Sequence, residues 1–238
     1  MEHWEYIKPG GYQFVWDDAL FRPSMDTFLL ASMPHLKKNM KICDLGSGTG
    51  LLGLLLLTRE PSVTVTGIEL QARAVFLANS CAVKNDISDH LTSRCMDIRW
   101  VSENFYPDEF DLVISNPPYY PVANGRMRKN EDQRRARSET DCTFEDLAQS
   151  ASYLLHSGGR FCLVHRPERL TDLMCIMRTY GMEPKRLCPV CQTAGSPPSL
   201  ILLEGRRFGN PGLHIETPFI VANPDGSPTD ALNAAYFR

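Results

Sequence analysis

The chain has 238 residues, 43% of them apolar and 22% charged, a globular composition long enough to bury a sizeable core and too apolar for a disordered chain. Its longest apolar run, 51–57, has seven residues and includes Gly53, against the roughly 20 a membrane-crossing helix needs. A net charge of −3 excludes a polycation, so any contact with nucleic acid needs a local basic surface.

The first residues, MEHWEYIKPGG, have neither the basic flank nor the apolar run of an export signal, so a soluble, cytoplasmic protein is expected. The eight cysteines are scattered through apolar segments and read as reduced, mostly buried thiols. The short pair Cys188-Pro-Val-Cys191 lacks a second half-site, and no metal is expected there.

In chain order, 24–33 reads as a short helix capped by Ser24. A strand over 41–45 runs into a leucine-rich helix over 50–59, followed by a strand over 63–68. The helix over 71–84 sets Ala74, Leu77, Ala78 and Cys81 on one face. Strands follow at 91–95 and 110–115, then a helix over 143–155 capped by Thr143. A strand over 160–165 precedes a helix over 167–180 with proline in its first turn. Two more strands, 185–190 and 199–205, are joined by the turn-rich TAGSPP, too short for a crossover helix, so this pair is antiparallel. The tail holds one strand-like stretch, 218–222. The pattern predicts an α/β fold: a doubly wound, mostly parallel seven-stranded sheet whose last strand is antiparallel. The predicted organisation is an N-terminal flank or lid over 1–38, the main domain over 39–208, and a tail over 209–238 packed on it.

Ligands of such sheets bind outside the carboxyl ends of the strands, where the winding reverses. Four signals fall at successive strand ends. After the first strand comes Asp44-Leu45-Gly46-Ser47-Gly48-Thr49-Gly50, whose glycines let a ligand approach the backbone. The second strand ends at Glu69, a carboxylate suited to both hydroxyls of a ribose. Asp97 follows the third strand, and Asn116-Pro117-Pro118-Tyr119 the fourth. Gly48-x-Gly50-x-x-Gly53 also fits the dinucleotide fingerprint. Against a nicotinamide enzyme, Asp44 would set negative charge beside a pyrophosphate, and no hydride-transfer constellation follows.

These residues resemble the class I S-adenosylmethionine-dependent methyltransferases, whose fold is Rossmann-like, and Asn116–Tyr119 matches the [DN]PP[YF] signature of their amino-methylating branch. The stretch Phe21-Arg22-Pro23-Ser24-Met25-Asp26-Thr27-Phe28-Leu29-Leu30-Ala31 is similar to the F-R-x-S-x-D-x-x-L-L-A that precedes the core in bacterial tRNA valine adenine-N6-methyltransferases. Blocks such as Gly158-Gly159-Arg160-Phe161 and Val164-His165-Arg166-Pro167 follow the same family's order, and the match runs over about 20–226. Arg137-Ser138-Glu139 stands where that family commonly reads R-H-E.

The resemblance implies S-adenosyl-L-methionine as cofactor. It assigns cofactor binding to Phe21, Arg22 and Asp26, to Asp44, Gly46, Ser47, Gly48 and Gly50, to Glu69 with Leu70, to Asp97 with Ile98, and to Asn116. It assigns catalysis to Asn116, Pro117, Pro118 and Tyr119: the Asn116 side-chain carbonyl and the Pro117 main-chain carbonyl accept the two hydrogens of an adenine amine, and Tyr119 stacks on the base. The implied partner is tRNA or another structured RNA, with the target adenine unstacked or flipped. Between 121 and 139, Arg126, Arg128, Lys129, Arg134, Arg135 and Arg137 face only Glu131, Asp132 and Glu139, a local charge of +3 that suits phosphate contacts; Arg166 extends this set. Two alternatives stay open. A glutamine amide N-methyltransferase of the release-factor type would use the same NPPY chemistry, and a non-catalytic partner subunit would use only the cofactor loop.

Overall fold

The chain opens on a hairpin that the sequence pattern does not announce, β1 (Glu2–Tyr6) and β2 (Gln13–Asp17), paired antiparallel with Glu2 opposite Asp17. An isolated hairpin of this size is marginal in water, and this one leans on the core. Gln13 donates its N–H to Asn85 Oδ1 at 2.7 Å and accepts from Asn85 Nδ2 at 2.6 Å, while Arg73 pairs with Glu2 and Asp17. The computed structural model describes residues 1–20, 22–117 and 142–237. Helix α1 (Met25–Ser32) follows where the serine cap places it, although the Ser24 side chain makes no capping bond.

The central sheet begins with β3 (Lys41–Leu45), which feeds α2 (Leu51–Arg59). Every residue from Leu51 to Leu57 is buried, because α2 is covered by the sheet on one side and by α1 and β2 on the other. Next come β4 (Thr64–Glu69), α3 (Ala72–Lys84), β5 (Leu91–Cys95), a 3₁₀ turn at Ile98–Trp100 and the short α4 (Val101–Asn104). β6 (Phe110–Ser115) precedes α5 (Phe144–Leu154), whose Thr143 cap is completed by Asp146 as a reciprocal capping box. β7 (Leu155–His165), a Pro167–Arg169 3₁₀ turn, α6 (Leu170–Thr179), β8 (Met182–Cys191) and β9 (Pro198–Arg207) complete the alternation.

With β10 at His214–Ile215, the strand order is β10-β8-β9-β7-β6-β3-β4-β5. β3, β4, β5, β6 and β7 pair parallel with their neighbours among themselves, while β9 runs antiparallel between β7 and β8. The doubly wound, mostly parallel α/β class therefore holds, and so does the antiparallel last strand. The count of seven does not: among the described residues the sheet has nine strands. The additional two are two-residue pieces of the tail, β10 (His214–Ile215) and β11 (Phe219–Ile220), laid parallel along the outer edge of β8. They pair with one edge as two fragments because Pro218, lying between them, has no N–H to continue a ladder. A last helix, α7 (Asp230–Ala235), returns to α1, where Tyr236 stacks on Phe28 at 4.1 Å between ring centroids.

Winding runs outward from β3 through β4 to β5, then jumps back to β6 and proceeds the other way. The reversal lies between β3 and β6, so the crevice for a ligand opens beyond Leu45 and Ser115.

Candidate active site

Ser115 is fully buried, and its hydroxyl donates to the Leu45 carbonyl at 2.7 Å, tying the ends of β6 and β3 together. Beyond β3 the chain turns through Gly46, Ser47 and Gly48 to Gly50, the N-cap of α2. Gly46 and Ser47 donate their N–H groups to the Ile68 carbonyl at 2.8 and 3.1 Å. Gly50 has φ +80°, and a Cβ there would sit 3.2 Å from that of Ala78, so both conformation and packing exclude a side chain.

Two carboxylates frame this loop in unlike ways. Glu69 is held by two backbone donors, Gly48 N–H to Oε2 at 3.0 Å and Gln71 N–H to Oε1 at 2.9 Å, bridging the glycine loop and the start of α3. Asp44 is 2% exposed, and neither of its oxygens has a hydrogen-bond partner among the described residues. Burial first, and the charge of Glu69 second, push the Asp44 carboxyl up to about 8. The Ser47 and Ser93 hydroxyls are likewise buried without partners among the described residues. They converge on Gly67 of β4, where a Cβ would lie 2.5 Å from Ser47 Oγ and 2.8 Å from Ser93 Oγ. Gly67 is a site residue the sequence reading missed; its signal was a glycine inside an otherwise β-branched strand. Buried polar atoms left unpaired cost of order 1–3 kcal/mol each. A cradle of them beside a glycine loop fits a polar ligand carrying positive charge and hydroxyl groups.

The third strand end is more committed internally. Asp97 caps the 3₁₀ turn by accepting from Arg99 N–H at 2.9 Å, and its carboxylate is also bound by the Arg99 guanidinium, which holds it below the usual range. Ile98 beside it is half-buried, and Leu70, after Glu69, is 40% exposed. Both are apolar surfaces at the same sheet edge.

At the fourth end, Asn116 and Pro117 are half-buried. The Asn116 Nδ2 donates to the Thr27 hydroxyl of α1 at 3.1 Å. Arg166 follows β7, which is parallel to β6, and so stands at the same edge, its Nη1 donating to the Ser199 carbonyl at 3.2 Å. Asp26 lies in the first turn of α1. Arg22 is turned toward the hairpin instead: it pairs with Asp18 at 3.1 Å, and its guanidinium carbon lies 5.3 Å from the Trp16 ring centroid. Phe21, Pro118, Tyr119 and the basic set Arg126, Arg128, Lys129, Arg134, Arg135 and Arg137 lie outside the described residues. Among the described residues no cluster of histidine, cysteine or carboxylate side chains is placed to hold a metal, and no helix is long and apolar enough to cross a membrane.

The model of the methyltransferase small domain matches residues 24–177, from α1 through α6. The chain belongs to this methyltransferase family. Relatives named tRNA1(Val) (adenine(37)-N6)-methyltransferase include one from Porphyromonas gingivalis, 35% identical over 166 residues, 68% of this chain and 64% of the relative. Another, from Bacteroides fragilis, is 27% identical over 191 residues, 79% of each chain. Among solved structures, a predicted O-methyltransferase from Agrobacterium tumefaciens superposes with a TM-score of 0.72 at 22% identity, covering 89% of this chain and 96% of that one. That likeness concerns the fold. The methyltransferase match takes in the glycine loop, Glu69, Asp97 and Asn116 together, and S-adenosylmethionine is the cofactor of the family.

Proposed function

We propose that this methyltransferase places a methyl group on the exocyclic N6 of an adenine in tRNA, next to the anticodon, in the cytoplasm. The observation that carries the reading is the arrangement at the sheet's switch point. Asn116 and Pro117 follow the end of β6, beside the unsatisfied polar cradle at the end of β3, so acceptor and donor sites adjoin. The names of the relatives from Porphyromonas gingivalis and Bacteroides fragilis supply the adenine and the tRNA.

S-adenosylmethionine, when bound, supplies a methyl group already activated by its sulfonium. The protein's task is therefore orientation and electronic help more than strong base catalysis. In this reading Glu69 serves the ribose hydroxyls, Leu70 and Ile98 flank the adenine ring, and Asp44 with the Gly46–Gly50 loop serves the amino-acid end. An adenine amine is a poor nucleophile because its lone pair is delocalised into the ring. The Asn116 side-chain oxygen and the Pro117 carbonyl accept its two hydrogens, draw the nitrogen toward tetrahedral geometry and aim the lone pair at the methyl. Asparagine does this without adding a full negative charge. The proton released on transfer leaves to water. Tyr119 stacks on the flipped base, worth ~1–3 kcal/mol, Pro118 stiffens the turn, and the basic stretch around Arg126–Arg137 with Arg166 holds the phosphates. The catalytic unit is 39–208, with 1–38 as its flank and 209–238 as its tail.

The test is methyl transfer from labelled S-adenosylmethionine to small RNA lacking the modification, with release factor in parallel. Label recovered as N6-methyladenosine is expected; label in the release factor would overturn the RNA reading. Asn116→Ala should abolish transfer while cofactor affinity stays within about threefold. Loss of cofactor binding as well would remove Asn116 from the acceptor side.

A further inference from the structure

The assignment of Asn116 as the acceptor of an amine hydrogen, on which this inference rests, leaves one geometric problem open. A side-chain amide is nearly symmetric in shape and opposite in function at its two ends: Oδ1 accepts, while Nδ2 donates. Its terminal torsion is broad and roughly two-fold. With the amide turned over, two N–H groups would face the two N–H bonds of the adenine amine. Neither hydrogen would be drawn off, and the lone pair would stay in the ring. The site works only if the amide is held one way round.

The backbone beneath Asn116 is already fixed. Ser115 is buried and bonded to the Leu45 carbonyl, and Pro117 restricts the conformation of the residue before it. What remains free is the amide itself, and the Thr27 hydroxyl, a group able to donate or accept, takes the acceptor role toward it here. Thr27 Oγ1 accepts a hydrogen bond from Asn116 Nδ2 at 3.1 Å, across 89 residues of sequence. With Nδ2 directed at α1, Oδ1 is the end turned away from that helix.

Thr27 can serve as such a reference because its own support is rigid. Its neighbours Leu29 and Leu30 are fully buried and Phe28 is 8% exposed. Phe28 stacks on Tyr236 with an interplanar angle of 7°, so the C-terminal α7 clamps α1 from outside. β-branching limits χ1 of Thr27 within the helix. Position 27 is also one that the pattern F-R-x-S-x-D-x-x-L-L-A leaves unspecified, so the contact belongs to this chain's own residues.

We propose that Thr27 is a positioning residue: its hydroxyl holds the Asn116 amide with Nδ2 toward α1 and so presents Oδ1 to the exocyclic amine of the acceptor base. It acts through Asn116, the side chain it bonds.

The experiment compares Thr27→Val, which keeps the shape and removes the acceptor, with Thr27→Ser, which restores it, and with Thr27→Ala and Asn116→Ala. Single-turnover transfer to tRNA, the Kd for S-adenosylhomocysteine, the KM for tRNA and the side-chain amide resonances of ¹⁵N-labelled protein are measured. Thr27→Val and Thr27→Ala should slow transfer at least about tenfold, with both binding constants within about twofold. They should also shift the Asn116 Nδ2–H resonances. Thr27→Ser should recover the rate to within about threefold and return those resonances. Where one variant fails to fold, the other decides the rate comparison. Wild-type turnover in Thr27→Val or Thr27→Ala, with Asn116→Ala inactive, overturns the role of Thr27 alone. An active Asn116→Ala overturns the acceptor reading beneath it.

Discussion

Asp44 and Glu204 are both buried carboxylates on strands of one sheet, at 2% and 6% exposure, and their surroundings could hardly differ more. Glu204 on β9 is paired with Arg186 at 3.1 Å and Arg160 at 3.7 Å, and accepts from the Cys162 thiol at 3.5 Å. Its arginines continue outward, Arg186 to Glu216 and the Met33 carbonyl, Arg160 to the His35 carbonyl. The cluster fastens the end of α1 and the tail to the sheet. Asp44 on β3 has no such partner among the described residues. A buried carboxyl group satisfied inside the protein is part of the fold. One left unsatisfied at a strand end, beside a glycine loop, is directed at something from outside. Burial alone does not separate structural from functional carboxylates; the partner does.

Substitution should separate them in opposite directions, and the larger effect lies with Glu204. Glu204→Gln leaves two half-buried guanidinium groups short of a counter-charge, with Glu216 the remaining acid on Arg186. Breaking such a pair costs about 3 kcal/mol. Urea unfolding should show that loss, with affinity for S-adenosylhomocysteine in the folded fraction unchanged. A variant as stable as the wild type would mean that the cluster is not what fastens the tail.

Asp44→Asn should do the reverse. Removing an unpaired buried carboxyl costs the fold nothing, and the same urea experiment should find stability equal or higher. Isothermal titration should find cofactor affinity weakened about tenfold to a hundredfold, the scale of one or two charge-assisted hydrogen bonds. Unchanged affinity would dissolve the contrast with Glu204 and leave Asp44 a buried anomaly.

The sequence disclosed these two environments unequally. Strands at 41–45 and 110–115 coincide with β3 and β6, because buried parallel strands are largely apolar runs bounded by turn residues; the strand at 91–95 coincides with β5, an edge strand in which buried Leu91 and Ser93 alternate with exposed Thr92 and Arg94. The signals at their ends, Asp44 through Gly50, Glu69, Asp97 and Asn116, could be read because ligand loops concentrate glycine, proline and acids locally. Contacts between distant segments leave no such mark. Arg186 and Glu204 pair across a hairpin, and Thr27 meets Asn116 from a helix near the other end of the chain. The β1–β2 hairpin escaped notice because β1 is polar and largely exposed, while β2 owes its place to Phe14 and Val15 in the core and to long-range contacts with Arg73 on α3 and Asn85 at its end. α7 escaped because six residues capped by Thr229 make a helix only when Tyr236 finds Phe28. Arg22 was grouped with the cofactor residues by its motif, while its nearest charge and ring, Asp18 and Trp16, come from the hairpin that the motif does not contain.

The last effect is the one that most directly reports on Asp44, and it is a pH dependence. In the folded protein without ligand the carboxyl is raised to about 8, from an ordinary value of 3.8. Between those values the native state keeps a proton that the unfolded chain gives up. The contribution of Asp44 to stability is therefore full below about pH 4 and is lost as pH rises through 8. Ligand binding runs the other way. S-adenosylmethionine carries positive charge and favours the carboxylate, so below pH 8 its binding must expel that proton. Affinity should rise with pH from 6 to 8 by up to about tenfold per unit, one proton being released per ligand bound. The rise should end near pH 8, where Asp44 is already ionised and the ligand's own α-amino group, with an ordinary value of about 8, begins to lose its charge. Calorimetry in two buffers of different ionisation enthalpy measures the proton count directly. Asp44→Asn should bring it close to zero at pH 6–7 and flatten the affinity curve, whereas Glu204→Gln should leave both as they are. A proton release that survives Asp44→Asn would place the titrating group elsewhere in the site.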